Sequence, residues 1–162
     1  MSDRASPFVL GPAEPSDGEA FTSFKVQADD TAGLLSVFEF TLPAWESGPV
    51  LHLHRESDES FYVLSGALEL QIGDERSIVS PGGFAWVPRG IPHTFANAGE
   101  VVARGITIAT PGGIERMFQE LAEYVAATNG RPDQQELDAI RQRHGGATLG
   151  PPIRSNRAPR LG

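Results

Sequence analysis

The chain has 162 residues, no Cys, four His, 18 Gly and 13 Pro, with 13 basic against 21 acidic side chains and a formal charge of −8. The length fits one domain with its own core. Without thiols, a disulfide scaffold, a thiolate zinc knuckle and a cysteine nucleophile are excluded, so any metal site must use imidazole and carboxylate. The acidic balance also argues against nucleic acid as a partner, because a grip on phosphates needs clustered basic charge.

Charge is unevenly spread. Residues 1–130 carry 7 basic and 18 acidic groups, net −11, whereas residues 131–162 carry 6 and 3, net +3. The basic C-terminal segment reads as a solvated tail. The opening MSDRASPFVL has an apolar run too short for a signal-peptide core, and no stretch approaches a membrane span. A cytoplasmic protein with no membrane partner is expected.

After an N-terminal extension over residues 1–19, the hydrophobic period from 20 to 111 is mostly two. The first strand candidate is Phe21–Ala28. Over residues 34–42, Leu34, Phe38, Phe40 and Leu42 share one face, Glu39 and Thr41 lie opposite, and Pro43 ends the run. Further candidates are Val50–His54, Glu59–Leu64, Ala67–Ile72, Arg76–Val79, Gly83–Val87, His93–Asn97 and Val101–Ala109. Turn signals such as Gly73-Asp74, Pro81-Gly82-Gly83 and Pro88-Arg89-Gly90 separate them. Short strands at this spacing predict an antiparallel sandwich or barrel.

The period changes after Pro111-Gly112-Gly113. Ile114, Met117, Phe118, Leu121 and Val125 fall on one helical face, read as packing against the sheet, and Gly130 marks the stop. Pro132 is expected to open a second helix carrying Leu137 and Ile140. These helices occupy residues 112–144. Residues 145–162, rich in Gly, Pro and Arg, show neither period and read as an extended tail.

The chemistry concentrates in three of the four histidines. His52 and His54 sit at i and i+2 of a strand, so both imidazoles face one side. Glu59 opens the next strand, where a hairpin returns its carboxylate beside the pair. His93 arrives from another direction after the Pro88-Arg89-Gly90 turn. Three imidazoles and a carboxylate suit a first-row divalent metal and leave one or two positions for water, substrate or dioxygen. Ligand type alone selects none of iron, manganese, nickel, cobalt and zinc. Glu59 is also the candidate base. Phe61 and Val63 share its parity and Phe95 shares that of His93, so with Phe40 they are the candidate substrate-pocket residues. Asn97 reads as a turn residue, and His144 as a cation at a helix C-terminus.

Two spacings carry a resemblance. The first is His52-x-His54, four residues, Glu59, six residues, Gly66; the second is Gly82, five residues, Pro88-x-Gly90, two residues, His93, three residues, Asn97. With the phrases HLHRESDESFYVLSGALEL and PGGFAWVPRGIPHTFAN, the chain resembles the cupin superfamily over roughly residues 20–152, and within it the small single-domain cupins grouped with quercetin dioxygenases. The resemblance implies an all-β double-stranded β-helix, a jelly-roll barrel, with a C-terminal helical appendage. It also implies that His52, His54, Glu59 and His93 ligate one metal inside the barrel. One departure concerns the loop 43–49: the first motif usually begins with a Gly shortly before the first His, yet position 46 is Glu and Gly48 lies closer.

The expected function is a quercetinase-like dioxygenase acting on a flavonol, phenolic or diketone-type molecule. The alternatives are a non-oxidative metal-dependent isomerase, lyase or polyketide cyclase, and a small-molecule-binding cupin without enzymatic activity. A sugar or phosphate enzyme would want basic side chains in the barrel, whereas Arg55 and Arg89 fall in turns. Tyr62 and Leu64 on the outward face of strand 59–64, with the family's habit of pairing through its sheets, suggest a homodimer.

Overall fold

The structure, a computed structural model, describes residues 7–10 and 22–154. Most of the expected N-terminal extension and the end of the tail lie outside the described residues. Ten strands run β1 (Thr22–Val26), β2 (Ser36–Leu42), β3 (Leu51–His54), β4 (Asp58–Ser65), β5 (Leu68–Ile72), β6 (Glu75–Val79), β7 (Phe84–Val87), β8 (His93–Asn97), β9 (Ala103–Thr110) and β10 (Gly146–Gly150). Helices α1 (Ile114–Ala127) and α2 (Gln134–Arg143) lie between β9 and β10. Two antiparallel five-stranded sheets, ordered β1-β2-β9-β4-β7 and β10-β3-β8-β5-β6, face each other. This is the antiparallel sandwich that the alternating pattern predicts, in the all-β jelly-roll form with a helical C-terminal part that the resemblance implies.

Strict alternation builds the first sheet. On β2, Ser36, Phe38, Phe40 and Leu42 are buried while the residues between them are not, and β4 buries Glu59, Phe61 and Val63. The main apolar core gathers Phe40, Leu42, Phe61, Val63, Leu68, Leu70 and Val87 between the sheets. Burying each such side chain stabilises the fold by roughly 1.5–3 kcal/mol relative to leaving it exposed. A smaller cluster joins Ile114 and Met117 of α1 to Phe38 and Ala109, so the helix closes one end of the sandwich. Glu115 rivets that end: Ser36 Oγ donates to it at 2.5 Å, and the Ala28 and Gly113 amides donate at 2.9 and 3.2 Å.

Three expectations need correction. Leu34 does not share the buried face of β2; it is 69% exposed, because Ala32 and Gly33 adopt positive φ after a 3-10 turn (Ala28–Thr31) and the strand starts only at Ser36. The second helix opens at Gln134, not Pro132, because the Asp133 carboxylate caps it by accepting from the Gln135 amide at 2.7 Å. The segment read as an extended tail contains β10, which pairs with β3 through Gly146↔His54 and Thr148↔His52. Arg55 Nη1 donates to the Gly146 carbonyl at 2.9 Å, and Thr148 Oγ1 donates to Asp138 at 2.7 Å, so polar anchors hold a segment that lacks apolar period.

Candidate metal centre

Each ligand is delivered by a strand whose neighbour fixes it. His52 and His54 leave β3 on the same side, and His52 lies opposite His93 across the β3–β8 ladder. Glu59 comes from the facing sheet, near the start of β4, which does not pair with β3, so the expected hairpin is instead a crossover between the sheets. The Pro88-Arg89-Gly90 turn is tied to both: the Gly90 amide donates to the His54 carbonyl at 2.6 Å, and Arg89 donates to Asp58 through its amide, Nε and Nη2 at 2.8–3.2 Å. That two-sided tether sets where β8 begins, and with it His93.

The four expected ligands converge. One donor atom from each of His52, His54, Glu59 and His93 lies within 4.8 Å of the others. Two ligands about 2.2 Å from an ion, on opposite sides, stand about 4.4 Å apart, so small side-chain adjustments bring all four to bonding distance. The imidazoles are also oriented. Nδ1 of His52 donates to the Val50 carbonyl at 2.7 Å and Nδ1 of His93 to the Ile91 carbonyl at 3.0 Å, which leaves each Nε2 as the free donor.

Protonation favours ligation as well. Desolvation, reinforced by the neighbouring His93 and His54, lowers the His52 pKa to about 3, and desolvation also lowers His54, so both rings are neutral and able to ligate at pH 7. Burial pushes the Glu59 carboxyl up, but electrostatic attraction to the surrounding imidazoles, His54 foremost, and the His93 hydrogen bond outweigh it and hold it down, at about 2. Burial would lower His93, yet its hydrogen bond and attraction to Glu59 raise it overall. Without a metal, His93 Nε2 and Glu59 Oε2 therefore share a proton across 2.7 Å, and His54 Nε2 stands 3.5 Å from the same oxygen. The donor set, three imidazoles and an ionised carboxylate with no thiolate, fits a divalent transition metal.

A cavity of about 240 Å³ opens onto His52, His54 and Glu59. Phe40, Phe61 and Phe95 line it as expected, with Phe95 5.8 Å from the Phe40 ring and 5.4 Å from the Phe61 ring. Val63 does not line it. Two residues beyond Phe61 on β4, it is fully buried in the apolar core. Sequence reasoning missed Phe38 and Phe118, which also wall the cavity. Phe38 had a usable signal, its parity with Phe40. Phe118 had none, because a helical stripe does not say which of its members reaches a cavity.

The remaining singled-out residues are structural. Asn97 is fully buried, donates through Nδ2 to the carbonyls of Leu42, Pro43 and Val101, and accepts from the Gly99 amide, which staples the chain at the end of β8. His144 stands 2.6 Å from Glu120, outside the metal cluster. The loop 43–49 runs along β8: the Gly48 amide donates to Phe95 O at 2.9 Å, and Ser47 bridges Ala96. A Cβ at position 48 would stand 2.5 Å from Phe95 O, so glycine is required there, and the shifted motif glycine has a packing reason.

Comparison with known proteins agrees with this architecture. Residues 38–109 match the Cupin domain family. The chain is 36% identical over 61 residues to quercetin 2,3-dioxygenase of Bacillus subtilis (strain 168), covering 36% of this chain and 18% of that protein. It is 29% identical over 124 residues to quercetin 2,3-dioxygenase of Aspergillus japonicus, covering 73% of this chain and 31% of that one. The chain thus spans less than a third of the length of either dioxygenase. An uncharacterized double-stranded β-helix protein from Klebsiella pneumoniae superposes with a TM-score of 0.51 at 22% identity, over 62% of this chain and 84% of that one. Domain match, sheet order and sequence likeness agree: residues 38–109 carry a match to the Cupin domain family, and the chain resembles a cupin akin to quercetin dioxygenase.

Proposed function

We propose that the protein is a metal-dependent, quercetinase-like dioxygenase acting on a flavonol, phenolic or diketone-type small molecule, with dioxygen as co-substrate. The observation that carries this reading is the pairing of the ligand cluster with an aromatic cavity: among the described residues Glu59 is the only carboxylate in its wall, and no Lys or Arg lines it. Such a wall favours a planar, weakly charged ligand over a sugar or a phosphate. A bound divalent metal supplies Lewis acidity and an electronic route between an enolate and dioxygen. The aromatic rings hold the substrate plane and exclude water. The ionised Glu59 carboxylate accepts a proton or a hydrogen bond from an acidic hydroxyl brought beside it. Both atoms of dioxygen enter the products as two new carbon–oxygen bonds while carbon–carbon bonding at the enolate carbon breaks, so no outside reductant is needed.

The test is dioxygen uptake by protein loaded separately with iron, manganese, nickel and cobalt, offered quercetin and a β-diketone. Uptake with at least one metal, abolished in His52→Ala, is the expected result. Absence of uptake with every metal, alongside tight substrate binding, would replace this reading with a non-oxidative metal enzyme. That second reading draws on the same buried carboxylate, which can move a proton at a substrate carbon without oxygen chemistry.

A further inference from the structure

The metal cavity has a neighbour. Between β1 and α1 lies an outer groove of about 660 Å³, with Phe24 in its floor and Gln27, Gln119 and Ala122 around it. The cavity and the groove share two residues, Thr22 and Phe118. Phe38 walls only the inner space and Phe24 only the outer. The Phe118 ring stands 5.7 Å from Phe38 and 5.6 Å from Phe24, so the wall is one aromatic ring thick. The helix start is fixed by Ile114, Met117 and the three hydrogen bonds of Glu115, so what separates the two spaces is the half-buried Phe118 side chain and not the helix backbone. Both Glu115 oxygens are engaged and Gln119 Nε2 donates to Glu123 Oε1 at 3.0 Å, which leaves the Gln119 side-chain oxygen to accept from a hydroxyl group. Thr22 and Phe118 lie outside the matched residues 38–109, so the device belongs to segments flanking the cupin domain.

We propose that Phe118, with Thr22, forms a partition that makes the protein selective for two-part aromatic substrates, whose chelating ring occupies the metal cavity and whose pendant ring crosses into the outer groove. The inference rests on the metal-dependent reading above but needs no oxygen chemistry. It is tested by calorimetric titration of nickel-loaded protein without dioxygen, using quercetin as the two-part probe and acetylacetone as the compact one. Phe118→Trp, which thickens the partition, should weaken quercetin binding at least tenfold. Ala122→Trp, an exposed position that lines only the outer groove, should weaken quercetin likewise and leave acetylacetone within twofold. Equal shifts for both probes in Ala122→Trp, or an unchanged quercetin affinity there, would overturn the proposal. Selective binding without dioxygen uptake would retain the partition and sink the dioxygenase; uptake without selectivity would do the reverse.

Discussion

Two buried carboxylates, Glu59 and Glu115, look alike by exposure, at 5% and 7%. Their surroundings differ in kind. Glu115 is met by a hydroxyl and two backbone amides, fixed donors that satisfy both oxygens and join β2, the 3-10 turn and α1. Glu59 is met by imidazoles, groups that can give up a proton and turn a lone pair to the same point, and it borders a cavity. A buried charge satisfied by neutral donors is a structural rivet. One satisfied only by exchangeable partners is a site, because replacing the shared proton with a cation costs little rearrangement.

The largest expected break in this comparison is at the site. Changing His52 and His54 together to Ala should abolish stoichiometric metal binding, read by elemental analysis. At free metal about 1,000-fold above Kd the wild type should gain about 4 kcal/mol from binding, and the double variant none. Glu115→Ala should break the rivet instead. It strands the Ser36 hydroxyl and two amides, at a cost of about 3 kcal/mol in denaturant unfolding, while metal content per folded molecule stays near one. A Glu115 variant that loses metal in proportion to nothing but its own local contacts would erase the distinction.

A smaller effect sharpens it by pH. Burial raises the Glu115 carboxyl, but the hydrogen bonds from Ser36 and the backbone outweigh it and hold its pKa below the ordinary 4.5. A depressed carboxyl stabilises the fold fully above its unfolded value and loses that contribution as pH falls through the folded one. Metal-free wild type should therefore lose thermal stability between about pH 5 and pH 3 more steeply than Glu115→Gln. Parallel slopes would show that the carboxyl is not the group responsible.

The contrast also explains what could be read from the chain. Glu59 belongs to a local pattern, since alternation on β3 and the short crossover 55–57 to β4 on the facing sheet suffice to bring it to His52 and His54. Glu115 reaches partners 79 and 87 residues away, and no spacing rule announces such pairs. β2, β4, β5 and β9 were legible because they bury alternate side chains, and the strands between them were set off by Gly- and Pro-rich turns. β10 was not, because it lies at a sheet edge, is built from Gly146, Ala147, Thr148, Leu149 and Gly150, and is held by hydrogen bonds to Arg55 and Asp138. Parity placed Phe61 in the cavity wall but could not show that Val63, on the same face, lies past its end.

A third buried polar group fits neither class. Thr107, paired with Phe38 on β2 and with Phe61 on β4, is fully buried, and its hydroxyl has no hydrogen-bond partner among the described residues. It has no donors to close it, as Glu115 has, and it lies outside the metal cluster that engages Glu59. An unsatisfied buried hydroxyl costs about 1–3 kcal/mol, so Thr107→Val, which keeps the shape and removes the polar atom, should raise stability by about 1 kcal/mol, or roughly 2–4 °C in Tm, with metal content unchanged. A fall in Tm instead would mean that the hydroxyl holds a partner inside the barrel. If quercetin affinity fell with it, Thr107 would join the substrate wall, and the inner face between Phe38 and Phe61 would have to be redrawn as polar at its centre.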